Sequence, residues 1–487
     1  MGNGLGGKFI GRKDELDKLN LLLSKKSASL VVVRGRRRIG KSRLVEEFGK
    51  SHSFLRFSGI SPTKDVTPQF QRDIFIQQLF QQLNLPLSPG GWTTAHWSDI
   101  FRLLADHTRE GRVTILFDEI SWMGSQDPTF LGQLKNAWDM EFKKNPRLIL
   151  VLCGSVSTWI EENIIKSTGF FGRISSYINL EELTLPECNQ FLEAQGFRTS
   201  DYEKLKVISV TGGIPWYLEQ IQPQLSSDQN IKNLCFRKDG ILVTEFDMIF
   251  HDLFIKKSEN YKRIVNALSK GSSTFNDLCQ ELLYEKGGVL SGYLDDLMKA
   301  GFIRRDYTWH PKTGKVSRLS HYRLNDNFLR FYLKYIEPNL SRIERDTFKD
   351  VGISSLPGWD TLMGFQFENL VLHNRRLVRK LLHCLPEDIV YDNPYFQRKT
   401  NVHEGCQIDY LVQTRHQLMF ACEIKFSRNK IKQDIIQDMK DKLSRLALPR
   451  GFACSPVLIH VNGIDDAVID ADYFSSIIDF GSLLHAR

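Results

Sequence analysis

The chain has 487 residues, room for about three domains, and its 41% hydrophobic and 25% charged content is that of a globular protein. Net charge is +8, concentrated in residues 371–450, where fifteen Lys and Arg meet nine Asp and Glu; such a patch suits a polyanionic partner or a solvated basic face. The longest apolar stretch, residues 148–156, is far short of a membrane span, residues 1–7 carry neither a signal-peptide nor a myristoylation pattern, and the eight cysteines include no C-x-x-C pair. The expectation is a cytoplasmic protein with no membrane partner and with reduced, buried thiols.

Residues 30–33, 113–117 and 148–152 are compact apolar runs bounded by charge or Gly, the pattern of strands buried on both faces of a parallel α/β sheet. The first leads into Gly35-Arg36-Arg37-Arg38-Ile39-Gly40-Lys41-Ser42 and then a helix over 43–48. Glycines at both ends let the backbone wrap closely, so that its N–H groups and the helix N-terminus cradle phosphates: this is a complete P-loop. Lys41 is expected to reach the β- and γ-phosphates and Ser42 to ligate Mg²⁺. The second run ends in Asp118-Glu119, where Asp118 would hold the Mg²⁺ shell and Glu119 would orient and deprotonate the attacking water; an ordinary acidic strand end is the alternative. The third ends at Cys153-Gly154-Ser155, with Ser155 either a polar sensor of the γ-phosphate or a turn residue.

From 186 to about 236 the pattern turns helical and reads as a lid. Residues 259–325 form another unit, with helices near 261–268, 275–283 and 289–299, then strands near 302–306 and 321–324 around a turn at 311–314. Three helices followed by a hairpin is the winged helix-turn-helix outline, with 289–299 in the recognition position. Arg304, Arg305, Lys312, Lys315, Arg318 and Arg323 make the wing basic, yet Asp295 and Asp296 lie on the recognition helix, so DNA reading and protein packing both stay open.

Residues 343–358 mix charge, Gly and Pro and read as a linker. A helix over 364–382, strands near 389–396, 407–413 and 418–426, a helix over 430–446 and a strand at 457–461 follow. The expected domains are therefore 1–180, 181–250, 251–340 and 341–487. In the last, a hairpin turn at 414–417 brings Asp409 beside Glu423 and Lys425, which share a strand face because Ile424 points away. Two carboxylates and a lysine so arranged can hold one or two divalent metals near a phosphodiester, or can pair as salt bridges in an inactive fold. Arg375, Arg376, Arg398, Lys399, Arg428, Lys430 and Lys432 surround them and would contact phosphates.

Phe9-Ile10-Gly11-Arg12-Lys13-Asp14-Glu15-Leu16 resembles the hhGR-x-x-E-L motif of AAA+ and STAND ATPases of the origin-recognition and archaeal-type clade, and Gly213-Ile214-Pro215 resembles their lid motif. The resemblance covers about residues 8–235. It implies that ATP is the nucleotide, that Ile10, Gly11 and Arg12 pack against the adenine, and that Pro215 approaches from the lid. Gly172-Arg173 is similar to the clade's "GR" after the sensor strand, making Arg173 a finger, a charge sensor or a lid-packing arginine. With the winged helix and the final domain, the chain resembles archaeal-type ATPases carrying a C-terminal DUF234-like domain. The order of elements over 364–461 resembles the PD-(D/E)XK nuclease core, implying metal ligation (Mg²⁺ or Mn²⁺) by Glu368, Asp409 and Glu423, with Gln437 a further candidate. Ile408 stands where that name's Pro would be. The implied function is an ATP-driven switch that assembles into a homo-oligomer on ATP binding. Its last domain would bind nucleic acid, DNA foremost, and would either cleave it or serve as a binding module.

Overall fold

The computed structural model describes residues 9–63, 65–86, 92–155, 157–253, 258–401 and 403–486, so the reading made of residues 1–7 lies outside them. The chain divides into two compact units, residues 1–181 and 182–487.

Five parallel strands form the sheet of the first unit: β1 (Ser29–Gly35), β2 (Ser53–Ser58), β3 (Val113–Asp118), β4 (Leu148–Gly154) and β5 (Ile174–Leu180), in the order β2-β3-β4-β1-β5. The three apolar runs of the sequence are β1, β3 and β4, the inner strands, buried along almost their whole length. The edge strands β2 and β5, which the sequence reading missed, alternate exposed and buried positions and so carry no continuous apolar run. Leu30, Val32, Ile115, Phe117, Leu150 and Leu152 share one sheet face, where helices Pro68–Leu83, Trp97–His107 and Phe130–Met140 supply an aromatic core. Phe57 stacks on Phe75 with ring centroids 4.2 Å apart, and Phe101 lies against Trp97 at 5.6 Å.

The second unit begins with the helices Leu185–Ala194, Asp201–Thr211, Pro215–Glu219 and Ser227–Cys235. Helices Ser258–Ser269, Phe275–Leu282 and Gly288–Lys299 then precede an antiparallel pair, β6 (Ile303–Trp309) and β7 (Val316–Leu324). On the third of these helices Leu290, Tyr293, Leu294 and Leu297 are buried, Asp296 accepts a hydrogen bond from the Tyr261 hydroxyl at 2.6 Å, and Asp295 pairs with Lys299. Asp296 thus serves internal packing, while Asp295 stays on the exposed side.

A mixed sheet follows: β8 (Ile389–Gln397), β9 (Cys406–Thr414), β10 (Leu418–Lys425), β11 (Ala453–His460) and β12 (Ser476–Asp479), in sequential order. The first three strands are antiparallel and the last three parallel. Helix Asp434–Arg445 covers one face through Ile435, Ile436 and Met439. Trp309 of β6 joins the same core and donates its indole N–H to Gln413, which fastens the hairpin to the sheet.

Two sequence expectations are corrected. The helix expected over 364–382 is two, Trp359–His373 and Arg375–Leu381, broken at Asn374, whose side chain turns back to the Leu370 carbonyl. The stretch 343–358 is no free linker: Ile343, Phe348 and Ile353 are buried in it. Among the described residues no helix is long and apolar enough to cross a membrane, and of the eight free cysteines six are buried.

Removing Phe101 leaves a void among five other rings. Phe101→Ala is expected to lower stability by about 3–5 kcal/mol, read as an earlier loss of near-UV circular dichroism in a urea titration.

Candidate nucleotide site

The phosphate loop leaves β1 under tight steric limits. Gly35 has φ +155°, and a Cβ there would lie 2.6 Å from the Leu180 carbonyl oxygen of β5. Arg38 (φ 68°) and Gly40 (φ 91°) are left-handed, curling the backbone so that helix Lys41–Gly49 starts directly beneath the loop. Arg36, Arg37 and Arg38 are half-buried, and Ile39 is buried. From the hhGR segment, Gly11 (φ 74°) and Arg12 (φ 59°) turn the chain, and the Arg12 guanidinium donates to the Ile39 carbonyl at 3.2 Å. That motif is therefore attached to the loop itself. Lys41 is buried and donates to the carbonyl oxygens of Gly35 at 3.1 Å and Arg36 at 3.0 Å. Its ammonium is held over the loop, the position from which phosphate oxygens can replace the carbonyls.

Asp118 ends β3 and is buried. Its Oδ2 accepts the Ser42 hydroxyl at 2.7 Å and the Arg56 guanidinium at 2.7 Å. A hydroxyl and a carboxylate in direct contact are hard oxygen donors of the kind Mg²⁺ takes, and Ser42 and Asp118 are the residues that would hold it. Bound there, the ion would neutralise phosphate charge. Glu119 follows in a left-handed conformation (φ 50°), and its Oε2 accepts both the backbone N–H of Ser155 at 3.2 Å and its hydroxyl at 2.9 Å. Because β4 lies between β1 and β3, the loop, Asp118-Glu119 and Ser155 meet at one edge of the sheet, beyond the carboxyl ends of three neighbouring strands.

Arg56 was not singled out in the sequence. It lies on β2, paired with β3, and its one sequence signal is a charge inside the aromatic run Phe54-Leu55-Arg56-Phe57. Arg173 is held by both oxygens of Asp139 at 2.8–3.1 Å, and this hydrogen bonding keeps the Asp139 carboxyl well below the usual carboxylate range. Pro215 belongs to the second unit, where it opens helix Pro215–Glu219; the preceding Gly213 donates its N–H to Glu182 at 2.9 Å, and a Cβ on it would meet the Leu183 carbonyl at 2.4 Å.

The second expected site is also in the second unit. Asp409 of β9 and Glu423 of β10 come together, the Asp409 Oδ2 accepting the backbone N–H of Ile424 at 2.9 Å. Lys425 pairs with Glu423 at 3.0 Å, as the strand period requires. The unforeseen member is Lys442, one helical turn and more beyond the expected Gln437, which hydrogen-bonds only to Asp441 among the described residues. Lys442 bonds Glu423 and lies 3.7 Å from Asp409, so its ammonium sits between the two carboxylates. Burial, then the facing Glu423, raises the Asp409 carboxyl above its ordinary range; burial, then Asp409, raises Glu368 likewise. Among the described residues no three His, Cys, Asp or Glu side chains form a metal-holding group. Glu423 there meets two ammonium groups, those of Lys425 and Lys442.

Two residues read as parts of basic surfaces, Arg323 of the wing and Arg375 of the last domain, are engaged internally. Arg323 is buried, with Nε donating to Asp306 at 2.9 Å, and Arg375 spends its donors on the Leu372 and Asp392 carbonyls and on Asn393. Their aliphatic stems and charges are used in the joint between the hairpin, helix Trp359–His373 and β8. Arg376, Arg398, Lys399, Lys430 and Lys432 are on the exposed side.

The model of a family described as an ATPase domain predominantly from Archaea matches residues 9–221. The protein MJECL04 of Methanocaldococcus jannaschii is 26% identical over 366 residues, 74% of this chain and 76% of its own length. Among solved structures, the Walker-type ATPase PABY2304 of Pyrococcus abyssi is 18% identical with a TM-score of 0.49, covering 67% of this chain and 96% of that one. The ORC2 protein of Aeropyrum pernix is 14% identical with a TM-score of 0.42, covering 71% and 97%. The residues that this family model matches include the five-stranded parallel sheet whose carboxyl edge bears the phosphate loop.

Proposed function

We propose that the chain is an ATP-binding and ATP-hydrolysing switch of the AAA+/STAND kind, whose second unit binds nucleic acid, DNA foremost. The observation that carries this reading is the meeting of Lys41, Ser42, Asp118, Glu119 and Ser155 at one strand edge. Lys41 and the loop N–H groups bind the phosphates. Glu119 takes the proton of the attacking water, and Ser155 orients it through the two hydrogen bonds that already fix its carboxylate. Arg12 couples the hhGR segment to loop geometry through the Ile39 carbonyl, so occupancy of the loop is felt by the adenine-facing motif. Self-association on ATP binding, the lid role of Pro215 and a finger role of Arg173 belong to the same proposal. For Arg173 the bond to Asp139 must first open.

In the second unit, Lys442 and Lys425 already neutralise Glu423, which favours a binding module over a metal-charged nuclease. The facing of Asp409 and Glu423 across β9 and β10 supports a second reading, metal-dependent cleavage with Lys425 as charge stabiliser.

Lys41→Ala is expected to weaken ATP binding about ten- to hundredfold, followed by equilibrium dialysis. Glu119→Gln should keep that binding and lower turnover about 10²–10⁴-fold; equal loss of binding and turnover would overturn its role as base. For the second unit, electrophoretic mobility shifts with plasmid and single-stranded DNA should show salt-sensitive binding. Incubation with Mg²⁺ or Mn²⁺ should leave DNA intact in wild type and Asp409→Ala alike, and cutting that Asp409→Ala abolishes would establish the second reading. The raised carboxyls also set a pH sign. Their protonated form is favoured by folding, so their stabilisation is present below the ordinary carboxylate range and fades as pH rises toward neutrality. Asp409→Asn, which carries no charge to bury, should therefore gain thermal stability relative to wild type between pH 5 and about 8, measured by paired melting curves.

A further inference from the structure

We propose that Arg56 is an internal counter-ion that competes with Mg²⁺ for Asp118, so that the metal must displace its guanidinium to complete the nucleotide site. The inference rests on the nucleotide reading and adds to it a positioning residue outside the loop and the two strand-end motifs.

The geometry is specific. Arg56 is anchored by its backbone, its N–H donating to the Gln82 Oε1 at 2.8 Å and its carbonyl accepting from the Gln82 Nε2 at 2.6 Å. Its guanidinium forks, Nη2 to Asp118 and Nη1 to Glu46. The Asp118 side chain is 5% exposed, that of Arg56 42% and that of Glu46 30%. A carboxylate so withdrawn from water needs a cation or several donors, and Lys41 is turned onto the loop carbonyls. Arg56 supplies the charge. It does so on Oδ2, the oxygen that also accepts Ser42, while Oδ1 accepts the Glu119 N–H. A divalent cation held by Ser42 and Asp118 would share that oxygen with a guanidinium, and two cations on one oxygen repel strongly at low dielectric. Glu46, on the more exposed side, offers the guanidinium a second partner when it leaves. The fork is thus a two-position device: on Asp118 and Glu46 when the site is empty, on Glu46 alone when the metal is present.

The test is Mg²⁺ titration of fluorescent ATP-analogue binding, read at equilibrium and independent of turnover. Arg56→Met should lower the half-saturating Mg²⁺ concentration about three- to tenfold. Arg56→Lys, which keeps a charge, should stay closer to wild type. Glu46→Gln, which removes the alternative partner, should raise the Mg²⁺ requirement. Melting curves establish that each variant is folded. An unchanged or higher Mg²⁺ requirement in folded Arg56→Met overturns the competition. Absence of analogue binding by wild type at every Mg²⁺ concentration overturns the nucleotide reading itself and this inference with it, an outcome distinct from the first.

Discussion

The central constraint on the first unit is the closeness of β1 to β5 where the chain leaves the sheet. Only a residue without a side chain can stand at Gly35, because the Leu180 carbonyl occupies the space a Cβ would need. That approach aims the following residues over the sheet edge, and the left-handed Arg38 and Gly40 then return the chain into helix Lys41–Gly49. The N–H groups, the ammonium of Lys41 and the hydroxyl of Ser42 are consequences of that path. So is the contact with Asp118, since β3 ends one strand beyond the neighbour of β1.

Both units solve the same electrostatic problem in the same way. Asp118 with Arg56, Glu423 with Lys442, and Asp306 with Arg323 are each a carboxylate taken largely out of water and matched by a cation from a separate element. Such pairs add little net stability over apolar packing, but breaking one leaves an uncompensated charge. Each therefore acts as a registration device between elements: β2 to β3, helix Asp434–Arg445 to β10, and β6 to β7. In the first and second, the carboxylate is also one that chemistry could use, so the cation that stabilises it is the group that limits access to it.

Legibility in the sequence followed burial. The inner strands of the parallel sheet read as unbroken apolar runs, and the loop and strand-end carboxylates are local motifs whose chemistry depends on spacing of a few residues. Edge strands β2 and β5 alternate, so neither they nor Arg56 stood out. In the second unit, strand period two correctly paired Glu423 with Lys425. It said nothing of Lys442, because that residue arrives from a helix seventeen positions after Lys425. Arg323 and Arg375 read as surface charge because composition does not distinguish a solvated guanidinium from one buried against Asp306 or Asn393.

The phosphate loop, the two acidic residues at the end of β3 and the polar residue after β4 were legible in the sequence alone, since each is set by backbone requirements within a single strand–turn segment. Tertiary structure alone decided which cation each carboxylate meets. Arg56 and Asp118 are 62 positions apart, Lys442 and Glu423 are 19, and nothing in local propensity encodes where two side chains from different elements converge. That convergence is a property of sheet order and helix placement, and it is what turns a set of phosphate-binding residues into a site with its own internal competitor.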